Sequence, residues 1–225
     1  MELHTFSIAA HDPREGSFGV AVSTARPNVG SLVPFVSLDG AIATQARVNT
    51  ELGRQGLALL QAGVALPVAL AALLEMDPER ERRQLHGVGR AAHFVFTGEL
   101  CVPWAGHLDG EHFTVAGNML TGPEVIQAMA EAFQTARAEG AELSQAILRA
   151  LEAGQAAGGD KRGKQSAALL VASPDPRMYH NLRVDDHPDP VGELRRIYQV
   201  VEEQSRQIQE EYGLEGLRLF SRVKW

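Results

Sequence analysis

The sequence predicts an α+β fold in which two mainly antiparallel sheets pack face to face with helices outside them, a four-layer αββα sandwich. Three observations carry this. Period-two alternation fills the first 45 residues, apolar residues recur at helical spacing from Leu57 to Leu74, and the same order of strands then paired helices repeats further along. A chain of 225 residues is long enough to bury such a core.

The first strands form a hairpin. Phe6, Ile8 and Ala10 alternate with Thr5, Ser7 and Ala9, and Phe18, Val20 and Val22 alternate with Gly19, Ala21 and Ser23, around Asp12-Pro13-Arg14-Glu15-Gly16. Closing the turn with Asp12 opposite Gly16 places Thr5 opposite Ser23 and Ser7 opposite Ala21, with Cβ atoms about 4.5–5.5 Å apart. One face is then apolar and the other small and hydroxylic, with room for a ligand or a neighbouring strand. Strands over 32–38 and 41–45 flank Asp39-Gly40, a tight-turn dipeptide.

Two helices follow, with Gly63 and Pro67 between their apolar stripes. A strand group over 84–120 includes 92–96 and 113–116, and helices then span 123–137 and 143–155, with Pro123 in a first turn where its missing N–H does no harm. The glycine-rich, cationic stretch 158–165 enters a strand at 166–172, and another strand lies at 179–184. Asp185-Asp186-His187-Pro188-Asp189-Pro190 reads as a turn and helix cap before a last helix at about 191–211, charged on most faces and expected at an edge or interface. No linker interrupts the chain, so one domain over 1–225 is expected, with 191–225 its C-terminal helix and tail.

Composition narrows the function. A 44% hydrophobic and 22% charged chain is neither disordered nor fibrous. A net charge of −7 without clustered cations argues against nucleic acid as a partner. Lysine occurs only at 161, 164 and 224, and Cys101 is the one cysteine, which excludes an internal disulfide and fits a reducing, cytoplasmic setting. No apolar stretch follows Met1, and the longest helical one is broken by Gly63 and Pro67, so neither a signal peptide nor a membrane partner is expected. Asp185, Asp186 and His187 would alternate in direction on an extended segment, so no metal or other cofactor is expected. Cys101 with His107 reads as a buried small hydrophobe beside a histidine, not as a thiol nucleophile, and His86, His93 and His112 show no ligand spacing.

Five stretches together resemble a known bacterial family: Thr5-Phe-Ser-Ile8, Cys101-Val-Pro-Trp-Ala-Gly106, residues 117–125, residues 158–167 and residues 182–190. This is the domain of unknown function ten twenty-eight, which is placed in the N-terminal-nucleophile (Ntn) hydrolase superfamily. The resemblance runs from Thr5 to Ile197. It implies that a Thr, Ser or Cys exposed at the start of the first strand attacks an amide carbonyl, its own α-amine serving as base and nearby N–H groups holding the oxyanion. On this chain the nucleophile would be Thr5, with Ser23 opposite it as the second catalytic candidate. Substrate-binding candidates are Ser7, Arg26, Thr44 and Gln45 near that strand end, Trp104 and Asn118 to stack on or orient an amide, and Asp160, Arg162 and Ser166 at the glycine-rich loop. The pattern departs from proteasome-like members in having no lysine in this region and Ser23 where a carboxylate would stand.

Residues 1–4 precede Thr5, so its amine is freed only by cutting the His4–Thr5 bond. The expected function is hydrolysis of a small amide, with a small molecule as partner. Two alternatives stand beside it: a non-catalytic small-molecule-binding or scaffold protein, and an enzyme whose unprocessed chain uses Asp160 and Ser166. The apolar Leu217-Arg-Leu-Phe220 makes a homo-oligomer an expected possibility.

Overall fold

A computed structural model describes residues 2–3 and 5–217. It is a mixed α+β structure with two antiparallel sheets and five α-helices. The central hairpin is β2 (Thr5–Asp12) and β3 (Ser17–Thr24). Its register differs from the expected one by a residue: Asp12 pairs with Ser17, Thr5 with Thr24 and Ser7 with Val22. The turn is the cause. Asp12 Oδ1 accepts the Arg14 N–H at 2.9 Å, and Gly16 adopts φ +65°, so Gly16 belongs to the turn and the pairing begins one residue later.

A one-residue slip exchanges faces. Thr5, Ser7 and Ala9 share a face with Thr24, Val22 and Val20, whereas Ser23 lies on the other face with Phe6 and Ile8. Neither face is therefore purely small and hydroxylic, because the large residues of one strand stand opposite the small residues of the other.

The five-stranded sheet runs β1 (Glu2–Leu3), β5 (Gly40–Arg47), β6 (Arg83–Gly89) and β7 (His93–Thr97), with β4 (Pro34–Ser37) beside β1 along the same edge of β5. The six-stranded sheet runs β11 (Asn181–Val184), β10 (Ser166–Ala172), β3, β2, β9 (Phe113–Gly117) and β8 (Gly106–Gly110). The chain thus leaves the first sheet at Leu3 and enters the second at Thr5.

Helices α1 (Thr50–Gln61) and α2 (Leu66–Glu75) bury Leu52, Leu66, Leu70 and Leu74 against Ile42 and Leu85 of the five-stranded sheet. Asn49 caps α1 by accepting the Glu51 N–H at 3.1 Å. Helices α3 (Glu124–Ala138), α4 (Leu143–Ala156) and α5 (Pro190–Tyr212) cover the outer face of the six-stranded sheet, around Phe6, Ile8, Met129, Phe133, Ile147 and Leu169. The last helix is less uniformly polar than its charge suggests: Val191, Leu194 and Tyr198 form a buried stripe. Asp189 occupies its N-cap position, but its side chain makes no cap bond and instead accepts Lys164 Nζ at 2.6 Å. Leu217 is buried, while residues 218–220 of the apolar tail lie outside the described residues, as does His4.

Candidate functional site

The layer between the sheets has two halves. Phe18, Val20, Val22, Val36, Ala41, Val88, Ala168 and Leu170 make one half apolar. The other half is a connected set of buried polar side chains at the start of β2, where Ser7, Gln45, Gln84, His86, Thr114 and Asn118 are all fully buried.

The direction of each hydrogen bond in this half follows from two backbone carbonyls. The Gly106 and Gly117 carbonyls, which can only accept, lie 3.0 and 2.9 Å from Gln84 Nε2, which fixes the nitrogen end of that amide. Gln84 Oε1 then accepts Gln45 Nε2 at 2.8 Å and Asn118 Nδ2 at 2.9 Å. Gln45 Oε1 is left facing Ser7, whose hydroxyl donates to it at 2.6 Å. That uses the serine proton, so His86 Nε2, 2.8 Å from Ser7 Oγ, carries its own hydrogen and donates it. His86 Nδ1 accepts from the Thr114 hydroxyl at 2.9 Å. Burial, with a smaller contribution from His107, lowers the His86 pKa to about 3, so the ring is neutral. Ser7 and His86 touch, but the lone pair that would make His86 a base points at Thr114.

Thr5 stands at the edge of this half and behaves differently. Its side chain is fully buried, its carbonyl accepts the Asn118 N–H at 3.0 Å, and its hydroxyl has no partner among the described residues. Two left-handed, non-glycine residues lie next to the amides around it: Ala46, φ +66°, follows Gln45, and Met119, φ +53°, follows Asn118. Such conformations cost on the order of 1–3 kcal/mol each and persist where the surroundings enforce them. The Ser23 hydroxyl is also buried without a partner, but it faces the α3–α4 side, so Thr5 and Ser23 do not converge on a common atom.

Ser166, Arg26, Asp160 and Arg162 gather at the end of β3 by Thr24, which pairs with both Thr5 and Ser166, whereas Thr44 and Trp104 lie apart from them. Ser166 Oγ donates to the Arg26 carbonyl at 2.5 Å and accepts the Val29 N–H at 3.1 Å, and the Arg26 side chain is exposed. The buried Asp160 carboxylate accepts the Ala25 N–H at 3.2 Å and Arg162 Nη2 at 2.6 Å. These groups bind the glycine-rich loop to the end of β3. Thr44 Oγ1 donates to the Asn49 carbonyl at 3.1 Å and braces the turn into α1. Trp104 is half-buried against the helical core, and its carbonyl accepts the Leu120 N–H at 3.0 Å.

The comparisons with known proteins are consistent with this frame. Residues 5–194 match the family described as "Family of unknown function (DUF1028)". The chain belongs to this family. A crystal structure of a DUF1028 protein from Silicibacter pomeroyi is similar over 92% of this chain and 91% of that one, with 34% identity and a TM-score of 0.81. No curated protein matches.

Gln84, His86 and Thr114 are not marked as site residues by any motif in the sequence of this DUF1028 chain. The available signal is a strand in which Gln84, His86 and Val88 alternate with Leu85 and Gly87, which puts two polar side chains on one face beside Val88. Cys101 is buried, and burial first raises its thiol pKa to about 11, which keeps it protonated. Among the described residues no group of three or more His, Cys, Asp and Glu is placed to hold a metal ion, and no helix is long and apolar enough to cross a membrane. Cavities of about 400, 380 and 350 Å³ open elsewhere, around Glu142 and Arg177 and around His11 and Arg137.

Proposed function

We propose that this chain is an Ntn-type hydrolase of a small amide, acting in the cytoplasm, with Thr5 as nucleophile once the His4–Thr5 bond is cut. The observation that carries the reading is the fully buried Thr5 hydroxyl at the start of β2, which has no partner among the described residues. Ser7, Thr44, Thr114 and Ser166 all spend their hydroxyls on structural bonds, and Ser23, which also has no partner among the described residues, faces the α3–α4 side. A buried hydroxyl left without a bond costs about 1–3 kcal/mol, which favours its retention for another reason. The strained residues beside Gln45 and Asn118 support the same location.

In this mechanism the freed α-amine takes the Thr5 hydroxyl proton as the oxygen attacks the carbonyl carbon. The C–N bond breaks, the proton passes to the leaving nitrogen, and an ester remains on Thr5. Water then cleaves the ester, releasing the acid and restoring the hydroxyl. Asn118 and Gln45 act as positioning residues through the amide network.

Mass spectrometry of the purified chain tests this, with an amide-library screen on the same sample. A discrete loss of residues 1–4, amide hydrolysis, and loss of both in Thr5→Ala are expected, with Thr5→Ser retaining part of each. Full hydrolytic activity in Thr5→Ala would refute the assignment. A second reading, a non-catalytic binding or scaffold protein, is favoured by the self-satisfied network of Ser7, Gln45, Gln84 and His86. It expects the full-length mass and no turnover of any amide.

A further inference from the structure

We propose that the cleft between the start of α4, the short helical turn Met178–His180 and α5 binds a small zwitterion of about dipeptide size, its ammonium group at Glu142 and its carboxylate at Arg177. Two cavities meet here, of about 400 and 350 Å³, and Glu142 and Arg177 line both. That volume lies in the range of small-ligand sites.

Among the described residues the Glu142 carboxylate is held by hydroxyls. Ser144 Oγ and Tyr198 OH donate to Oε1 at 2.7 and 3.0 Å, and Tyr179 OH donates to Oε2 at 3.2 Å. The two tyrosine rings are buried with centroids 5.0 Å apart. Burial, and next the Glu142 charge, push both phenol pKa values up, so they remain donors. Among the described residues no cation lies within ion-pair distance of Glu142, although other carboxylates on α4 and α5 have one: Glu152 pairs with Arg195 and Glu203 with Arg206.

Glu202 lines the same cavity, as does Arg206; the Glu202 pKa is raised by burial and then by Glu142, and Arg195 and Arg206 offset this only in part, so some repulsion between the two carboxylates remains. An ammonium group placed there relieves it. Arg177 supplies the opposite charge. Its Nη1 donates to the Pro176 carbonyl at 3.2 Å, and no carboxylate pairs with it among the described residues. Glu142 and Arg177 therefore face one space without meeting, as expected for charges that clasp the two ends of one molecule.

Calorimetry with glycylglycine, N-acetylglycylglycine and glycylglycine amide tests the proposal, run on the wild-type chain and on Thr5→Ala so that the result is independent of turnover at Thr5. Glycylglycine should bind at least about tenfold more tightly than either blocked probe. Glu142→Gln should remove the preference over the N-acetyl probe, and Arg177→Met the preference over the amide, each with an unchanged circular-dichroism spectrum. Arg177→Met alters a group at the cleft surface and keeps the test valid if Glu142→Gln fails to fold. Equal binding of all three probes, preferences unaffected by the variants, or no binding at millimolar glycylglycine would each overturn the proposal.

Discussion

Two hydroxyls on one strand face the same side and contribute with opposite sign. Ser7 donates to Gln45 and accepts from His86, whereas the hydroxyl of Thr5, two residues earlier, has no partner among the described residues. Replacing an orphan by an isosteric apolar group removes a penalty, so Thr5→Val is expected to raise the unfolding free energy by about 1 kcal/mol. Ser7→Ala should lower it by about 2 kcal/mol, and Gln84→Leu, which strands two carbonyls and two amides, by roughly 4 kcal/mol. Urea denaturation of the three variants checks the order; a destabilised Thr5→Val would contradict the orphan assignment. The sequence singles out Thr5, Gln45 and Asn118 through a family resemblance or a position near a strand end, and the structure places Gln45 and Asn118 in the polar half of the inter-sheet layer with Thr5 at its edge. Gln84 and His86 are not singled out, since the partners that give them meaning come from β2, β5, β8 and β9, far away along the chain.

At the scale of elements, periodicity was an adequate guide and register was not. Strand β10 and the helices α3 and α4 lie within a residue or two of their expected bounds, because a short apolar run buried on both faces marks β10 and an apolar stripe at helical spacing marks the helices. The hairpin slipped by one because turn length depends on an Asp12 side-chain bond and a left-handed Gly16, neither visible as periodicity. Helix α1 hides a comparable detail. A Cβ on Gly53 would come within 2.2 Å of the Phe35 ring, so this helix approaches its sheet across a bare backbone. Gly53→Ala gains about 1 kcal/mol of helix propensity but overpacks a closed contact at about 1–3 kcal/mol. A net fall in thermal midpoint is expected, and a rise would show that Phe35 moves aside at little cost.

Over the whole molecule, burial holds several histidines neutral. The pKa of His86 is lowered to about 3, and those of His11 and His180 to about 4, burial being the largest cause in each. Their ordinary value is 6.5, so between 6.5 and those depressed values the unfolded chain binds more protons than the folded one. The stability from keeping them neutral is complete above pH 6.5 and is lost as pH falls, at up to about 1.4 kcal/mol per pH unit for each ring. Denaturation across this range should show that slope, and His86→Gln should reduce it. An unchanged slope in the variant would mean that His86 is protonated without cost.

The polar half of the layer between the sheets also limits how this protein can vary. An apolar contact accepts one-at-a-time exchange of similar side chains, but each amide here has its direction set by the next, back to the carbonyls of Gly106 and Gly117. A change at any one of Gln84, Gln45, Ser7, His86 and Thr114 therefore strands the bonds of the next, and is best compensated by changing its partners with it. Anyone transplanting the Thr5 region into another scaffold must carry that block with it.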